Sequence, residues 1–373
     1  MKKTILALSV TLLTFVNVSA QSPVKDIEFG GRIMYDMAVW ENTTNDVATQ
    51  MSGTEFRRVR FYNSGKIYGN VKYKLQLDFA GGKIAFKDVW MELNKLPIKG
   101  NLRVGHFKEP LRLEAITSSK YITFMERSFA IAMSAERNSG AMYHTTFGEK
   151  ISLQTGVFRE GDSFGNDKES TNNVNITSRI TYLAMNDDSK TLHLGASNSI
   201  RKNSEHSYGF SARTENHLGN KLMSVSFEDV DKTNILGGEI AYVNNALSVQ
   251  AEYLQTTVIG ATETELSSYY GQISYFLTGE RRAYKNSLSG FGSVKPNNNY
   301  GENGWGAIEL AVRLSSMDLT TANAGTLEDI TVGINWYLNP NTRVMLNYVM
   351  GEMINEEEII TEDAVMMRVQ LGF

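Results

Sequence analysis

The last ten residues set the pattern for the whole chain. Val365, Met367, Val369, Leu371 and Phe373 fall on one face of an extended segment, and Ala364, Met366, Arg368, Gln370 and Gly372 fall on the other. Such alternation is the period-two signature of a strand. A strand pairing an unbroken apolar face with a face carrying Arg and Gln suits a wall with hydrocarbon outside and water inside. The same period places Val71, Tyr73, Leu75, Leu77 and Phe79 opposite Lys72, Lys74, Gln76 and Asp78. Similar windows are Ile27–Val39, Arg57–Tyr62, Leu102–Phe107, Ile151–Phe158, Ile176–Leu183, Leu247–Leu254, Tyr269–Leu277, Trp305–Leu314, Ile330–Leu338 and Thr342–Met350. With weaker windows the count reaches about 16 to 18 strands. The predicted fold is therefore all-β, a transmembrane antiparallel β-barrel.

The connections come in two sizes, as expected for short periplasmic turns and longer outer loops. Asn63-Ser64-Gly65, Gly148-Glu149, Asn244-Asn245 and Asn339-Pro340-Asn341 read as short turns. Glu41–Thr54, Glu160–Asn173, Thr257–Leu266, Ser316–Leu327 and Glu352–Asp363 read as long polar connections. One connection, Glu109–Arg137, is long but carries Leu111, Leu113, Ile116, Tyr121, Ile122, Phe124, Met125, Phe129 and Ile131, so it needs a surface to pack on. Strand parity makes it the third outer loop, and an inward-folded constriction loop is the expected arrangement, with a helix over the rim or at a subunit contact as the alternative. Parity also puts the long Glu280–Tyr300 segment on the periplasmic side.

The N-terminus agrees with a wall exported to an outer membrane. Lys2 and Lys3 precede an apolar run from Ile5 to Val16 and then Val18-Ser19-Ala20, the layout of a secretory signal with a small-residue cleavage site. Residues 1–20 are expected to be removed, leaving 21–373 as one barrel domain in a Gram-negative-type outer membrane. The chain has no Cys, 5 Pro, 31 Gly, 17 Tyr and 17 Phe. No disulfide can staple a small domain, so stability must come from a closed sheet.

Two blocks of residues carry a family resemblance. Gly105-His106-Phe107-Lys108-Glu109-Pro110, Leu113-Glu114 and Thr123-Phe124-Met125-Glu126-Arg127-Ser128 form the first, and Leu277-Thr278-Gly279-Glu280-Arg281 with Tyr284, Pro296, Trp305-Gly306-Ala307, Glu309-Leu310, Arg313, Ser315 and Asp318-Leu319 form the second. Together they resemble the phosphate-selective porin O and P family over essentially the whole mature chain. The resemblance implies a 16-stranded homotrimeric porin with anion-binding Arg and Lys residues along the pore. No cofactor is expected.

Charge locates the candidate site. The formal net charge is −4, or −6 without the two lysines of the leader, yet residues 57–137 hold 16 Lys and Arg against 7 Asp and Glu, leaving −15 for the remaining mature residues. Arg58 and Arg60 alternate with Val59 and Phe61, and Lys72 and Lys74 alternate with Tyr73 and Leu75. A charge on the lipid face at mid-depth costs roughly 2–4 kcal/mol, which turns these groups, with Arg103 and Arg313, towards the lumen. Lys108, Lys120, Arg127 and Arg137 border the inward loop, and Arg281, Arg282 and Lys285 of the periplasmic segment are expected to guard the inner mouth. Arg57 falls on the Val59 face, so it sits at the rim or marks a slip of register. Guanidinium and ammonium rows suit small anions such as phosphate. The opposing expectation is that these cations pair with Asp36, Asp78, Asp88 and Glu92 across neighbouring strands.

Other functions are carried as alternatives. The acidic remainder keeps open a weakly selective or cation-preferring porin, and a plugged structural or adhesive barrel is a different class. The acidic run of Glu352, Glu356-Glu357-Glu358, Glu362 and Asp363 reads as a solvated outer face, with divalent cations bridging lipopolysaccharide, or Ca2+ bound directly, as the alternative. The five histidines show no metal spacing, and no nucleophile elbow or phosphate-cradling glycine loop occurs, which points away from an enzyme. Nucleic acid is not expected as a partner of a net acidic membrane wall.

Overall fold

A computed structural model describes residues 24–167, 174–202, 206–302 and 304–373. The leader therefore lies outside the described residues. The strands are β1 (Val24–Thr44), β2 (Val47–Ile67), β3 (Val71–Asp78), β4 (Ala85–Leu93), β5 (Asn101–Lys108), β6 (Arg137–Phe147), β7 (Ile151–Arg159), β8 (Asn175–Asn186), β9 (Lys190–Lys202), β10 (Ser207–Ala212), β11 (Met223–Glu228), β12 (Val230–Asn244), β13 (Leu247–Gly260), β14 (Glu263–Phe276), β15 (Tyr284–Asn286), β16 (Gly290–Phe291), β17 (Ala307–Asp318), β18 (Thr326–Asn339), β19 (Thr342–Ile354) and β20 (Ile359–Gly372). Sixteen of them form one closed barrel in which β1 pairs antiparallel with both β2 and β20. The hairpins β10–β11 and β15–β16 stand apart from it.

The wall is apolar outside and polar inside. On β18, Ile330, Val332 and Ile334 are 44%, 40% and 44% exposed, whereas Asp329, Thr331 and Asn335 between them are 2%, 1% and 0% exposed. Such a surface requires hydrocarbon around it. Phe147, Tyr182, Tyr275 and Trp305 stand exposed near the ends that carry the short turns, where an aromatic girdle belongs. The terminal strand matches the sequence pattern: Ala364, Met366, Arg368 and Gln370 are buried inward and Val365, Val369, Leu371 and Phe373 face out.

Several connections differ from the sequence reading. Asn63-Ser64-Gly65 is not a turn, because β2 continues to Ile67 and the chain reverses at residues 68–70. Its polar groups are satisfied across the sheet, where Asn63 donates to the Glu28 carbonyl at 3.3 Å and accepts from the Tyr73 hydroxyl at 2.9 Å. The outer connections Glu41–Thr54, Thr257–Leu266 and Glu352–Asp363 are also mostly strand, and β1 and β2 meet at Asn45-Asp46, whereas Ser316–Leu327 keeps a connection at residues 319–325. Ladder hydrogen bonds carry polar residues in a hairpin beyond the membrane, although their side chains read as loop. The end of the Glu160–Asn173 connection, residues 168–173, lies outside the described residues.

Three segments fill the lumen. Residues 109–136 fold in from the outer side with two short helices, α1 (Leu113–Ile116) and α2 (Ala130–Met133). The outer connection between β9 and β12 carries the β10–β11 hairpin, and the periplasmic connection between β14 and β17 carries β15–β16. Leu111, Phe129, Ala130 and Met133 pack with Ala212, Met223 and Val225 of the hairpin against Leu254, Leu266, Met317, Leu327 and Met353 of the wall. The long apolar connection thus buries its side chains inside the barrel, as its composition demands.

The barrel seam depends on two small residues. A Cβ on Gly31 would sit 2.6 Å from the Phe373 ring, and one on Gly30 would sit 2.6 Å from the Tyr62 hydroxyl. Gly31→Val should therefore overpack the β1–β20 junction, at a cost of about 1–3 kcal/mol. The expected readout is a lower unfolding temperature of the purified barrel in detergent, followed by loss of β-sheet circular dichroism.

Candidate functional site

The inward loop is bonded across the lumen to β17–β20. Arg343 donates to the Ile122 carbonyl at 2.9 Å, Asn335 to the Thr123 carbonyl at 2.8 Å and Gln370 to the Lys120 carbonyl at 3.1 Å. Arg313 reaches Glu114 at 3.1 Å and also binds Glu215 of the β10–β11 connection. Arg368 forms a two-pronged pair with Asp36 on β1, at 2.6 Å for each contact, and reaches Glu126 at 2.9 Å. Loop residues 114–126 are thereby held against β17–β20. Free space remains along β1 to β6.

That space is two cavities stacked along the basic wall. The outer one, about 790 Å³, is lined by Arg57, Arg58, Arg60, Lys87, Lys108, Arg127 and Arg137, with Glu55, Asp78, Glu136 and His217. The periplasmic one, about 1240 Å³, is lined by Arg32, Arg60, Lys74, Arg103, Lys108, Lys120, Arg137 and Lys285, with Glu28 and Asp88. Arg60, Lys108 and Arg137 line both and mark the neck between them. Twelve Lys and Arg against five Asp and Glu line the pair of cavities.

Much of this charge is paired, as the opposing expectation held. Arg60 meets Asp78 at 2.7 Å, Lys74 and Arg137 meet Asp88 at 3.0 and 2.9 Å, and Arg103 meets Glu92 at 2.6 Å. Arg127 donates to the Glu114 carbonyl at 3.0 Å and lies 3.4 Å from Glu136. The excess falls on other groups. Among the described residues Arg32 donates to the Ser118 and Ser119 hydroxyls, at 3.2 and 2.6 Å, and its buried Nε has no partner. Lys108 is bound by the carbonyls of Ala115 and Thr117 and Arg58 lies 3.8 Å from Glu126.

The sequence candidates divide accordingly. Arg58, Arg60, Lys74, Arg103, Lys108, Lys120, Arg127 and Arg137 line the cavities. Lys72 is half exposed beside Glu92 at 3.9 Å, near the periplasmic edge. Arg281 donates to the carbonyls of Asp187 and Asp188 at 2.9 and 2.8 Å and clasps a periplasmic turn. Arg282 is buried on the face of Phe291 at 3.6 Å and donates to Gln250 at 2.8 Å. Arg313 is enclosed by Glu114 and Glu215 and lines neither cavity, so its guanidinium fastens loops to the wall. Glu362 is buried and bonded to Thr214 and Asn216, unlike the solvated face read for its run.

Two basic groups, Arg32 and Lys87, escaped the sequence reading, and the structure places two others, Arg57 and Lys285, at the cavities. The ladder slips between Met34 and Tyr35, which pair with Arg58 and Phe56, leaving Arg57 as the extra residue of a bulge. A bulge re-aims a side chain, and Arg57 points inward to bind both oxygens of Glu126 at 2.8 Å. The slip that the face assignment left open is therefore real. Arg32 shares the inward face with Met34, a signal that period two carried. Lys87 and Lys285 enter through a strand irregularity near Leu75/Leu77 and through the folded periplasmic segment.

Two loop groups make the electrostatics testable. Burial first, and then the charges of Arg32 and Lys74, lower the Lys120 ammonium to about 8. The periplasmic cavity accordingly loses a positive charge as pH rises through 8. Anion preference under a KCl gradient should fall between pH 7 and 9, and Lys120→Arg should abolish that fall because guanidinium stays charged. Burial would raise the Glu126 carboxyl, but Arg57, Arg58 and Arg368 hold it well below the usual carboxylate range. Glu126→Gln leaves those guanidiniums facing one another, and breaking a buried pair costs about 3–5 kcal/mol. Limited trypsin digestion should then cut the variant within residues 109–136 faster than the parent.

A closed sixteen-stranded barrel with an apolar belt, a polar lumen and inward-folded loops defines an outer-membrane porin. The family model described as phosphate-selective porin O and P matches residues 27–373, so the chain belongs to that family. Porin O of Pseudomonas aeruginosa is 25% identical over 87% of this chain and 82% of its own length. Among solved structures, an anion-selective porin from Comamonas acidovorans superposes with TM-score 0.56 at 12% identity, over 93% of this chain and 99% of that one. OprB of Pseudomonas putida superposes with TM-score 0.59 at 9% identity, over 92% of this chain and 94% of that one. These structures share the fold.

Proposed function

We propose that this porin conducts small hydrophilic solutes with a preference for anions and binds phosphate along its basic wall. The observation that supports the reading is the one-sided lining: twelve basic against five acidic side chains border the two cavities along the N-terminal wall. An anion entering from outside meets Arg57 and Arg58, passes the Arg60, Lys108 and Arg137 neck and leaves past Arg32, Lys74 and Lys120. Several shallow sites in series let an ion exchange hydration for protein donors stepwise without being trapped. The paired carboxylates Asp78 and Asp88 temper the wall, which keeps release fast.

The remaining parts of the reading follow the family. The chain is exported with residues 1–20 removed, the rest forms one barrel domain, and it works as a channel without catalysis. It assembles as a homotrimer among outer-membrane lipid and lipopolysaccharide. OmpT, an outer membrane protein of Vibrio cholerae with the same fold at TM-score 0.54, has been solved in a trimer form.

The test is the reversal potential of purified protein in a planar bilayer under a KCl gradient, with phosphate then titrated into the same channel. Anion selectivity and phosphate block are expected. Neutralising Arg58, Arg60 and Lys108 together should weaken the block about tenfold or more, equivalent to ~1.4 kcal/mol or more. Cation selectivity without block would instead make those side chains wall ion pairs of a general channel.

A further inference from the structure

The two cavities differ in more than size. Charged side chains and backbone dominate the outer one, with Phe56 its single benzene ring. The periplasmic one adds the half-buried rings of Tyr62, Trp90 and Tyr121 and the half-buried side chains of Ile116 and Leu288. Each ring has a cation beside it. Lys74 lies 5.2 Å from the Tyr62 centroid, the Arg103 guanidinium 4.3 Å from that of Trp90 and Lys120 5.5 Å from that of Tyr121. A hydrated inorganic anion gains nothing from apolar surface, and a porin interior is ordinarily polar. Rings interleaved with cations instead match a solute that is itself part planar ring and part anion.

We propose that the periplasmic cavity is a binding site for phosphate monoesters of aromatic or other planar organic groups. This deepens the anion-channel reading and rests on it. Arg32, Lys74, Lys120 and Lys285 supply the charge for a phosphoryl group, which carries about −1.5 to −2 at pH 7. The hydroxyls of Ser118 and Ser119, already oriented by Arg32, border the same space. Trp90 and Tyr121 offer faces or edges for the organic part, since aromatic side chains hold planar groups by stacking, as they hold nucleobases. The cavity lies on the periplasmic side of the neck and brings the three rings and the four cations around one space.

The experiment compares phenyl phosphate, methyl phosphate and inorganic phosphate as blockers of chloride current, each added to either side of an oriented bilayer. Phenyl phosphate is expected to block at about tenfold lower concentration than methyl phosphate, with the larger effect from the periplasmic side. The ratio of the phenyl to the methyl blocking constant should move towards one in Trp90→Ala and, separately, in Tyr121→Ala. Because that ratio is taken within one variant, a general change in conductance cancels. Equal block by phenyl and methyl phosphate, with inorganic phosphate still blocking, would overturn the site while leaving the anion channel standing. An unchanged ratio in both variants would overturn it as well. No block by inorganic phosphate would remove the anion reading and this inference with it.

Discussion

Hydrocarbon offers no hydrogen bonds, so every backbone N–H and C=O at membrane depth must find its partner within the sheet. The pairing of β1 with β20 satisfies the last open edge, and the rest of the molecule depends on it. Once the sheet is closed, each strand must turn its apolar side chains out and its polar ones in. That single sorting rule explains why Ile330, Val332 and Ile334 stand exposed while Asp329, Thr331 and Asn335 are buried. It also gathers buried ionisable groups that would be costly in a soluble protein.

Those buried groups decide where the pore runs. Arg313 and Arg368 each bridge a wall strand to the inward loop, and Arg313 also captures Glu215 of the hairpin connection. Buried ion pairs add little net stability over apolar packing, but removing one partner is expensive. Their contribution here is placement. They draw the loop to β17–β20, where Met125 packs with Met345, Val349, Ala364 and Met366, and they leave the two cavities along the N-terminal wall. Acid and base are thus segregated, with carboxylates consumed in fastening and the surplus cations facing open space.

The periplasmic segment completes this division from below. His193 and the Tyr284 hydroxyl are 2.8 Å apart, Arg179 donates to the Ser287 carbonyl at 2.7 Å, and the Phe291 amide donates to Thr117 at 3.4 Å. Two segments entering from opposite ends of the barrel therefore meet beside α1. Gly290, at φ +66°, permits that approach, since any Cβ would press on Thr117 and Leu113. Lys285 and Leu288 reach the periplasmic cavity only because of this meeting.

Period-two patterning by itself determined the fold class, the lipid face, the inward direction of Arg58, Arg60, Lys74 and Arg103, and the third outer loop as the segment that turns inside. These follow from local rules, because alternation and burial cost act on each strand separately. The extent of the outer hairpins was less legible, since ladder bonds and not side-chain polarity hold them. Only the tertiary structure decided that Arg57 turns inward, because a bulge shifts register without a mark in composition. It likewise decided that Arg313 and Arg281 fasten the structure while Arg32 and Lys87 line the pore. A cation's role depends on which carboxylate or carbonyl reaches it across the lumen, and sequence spacing carries no record of that distance.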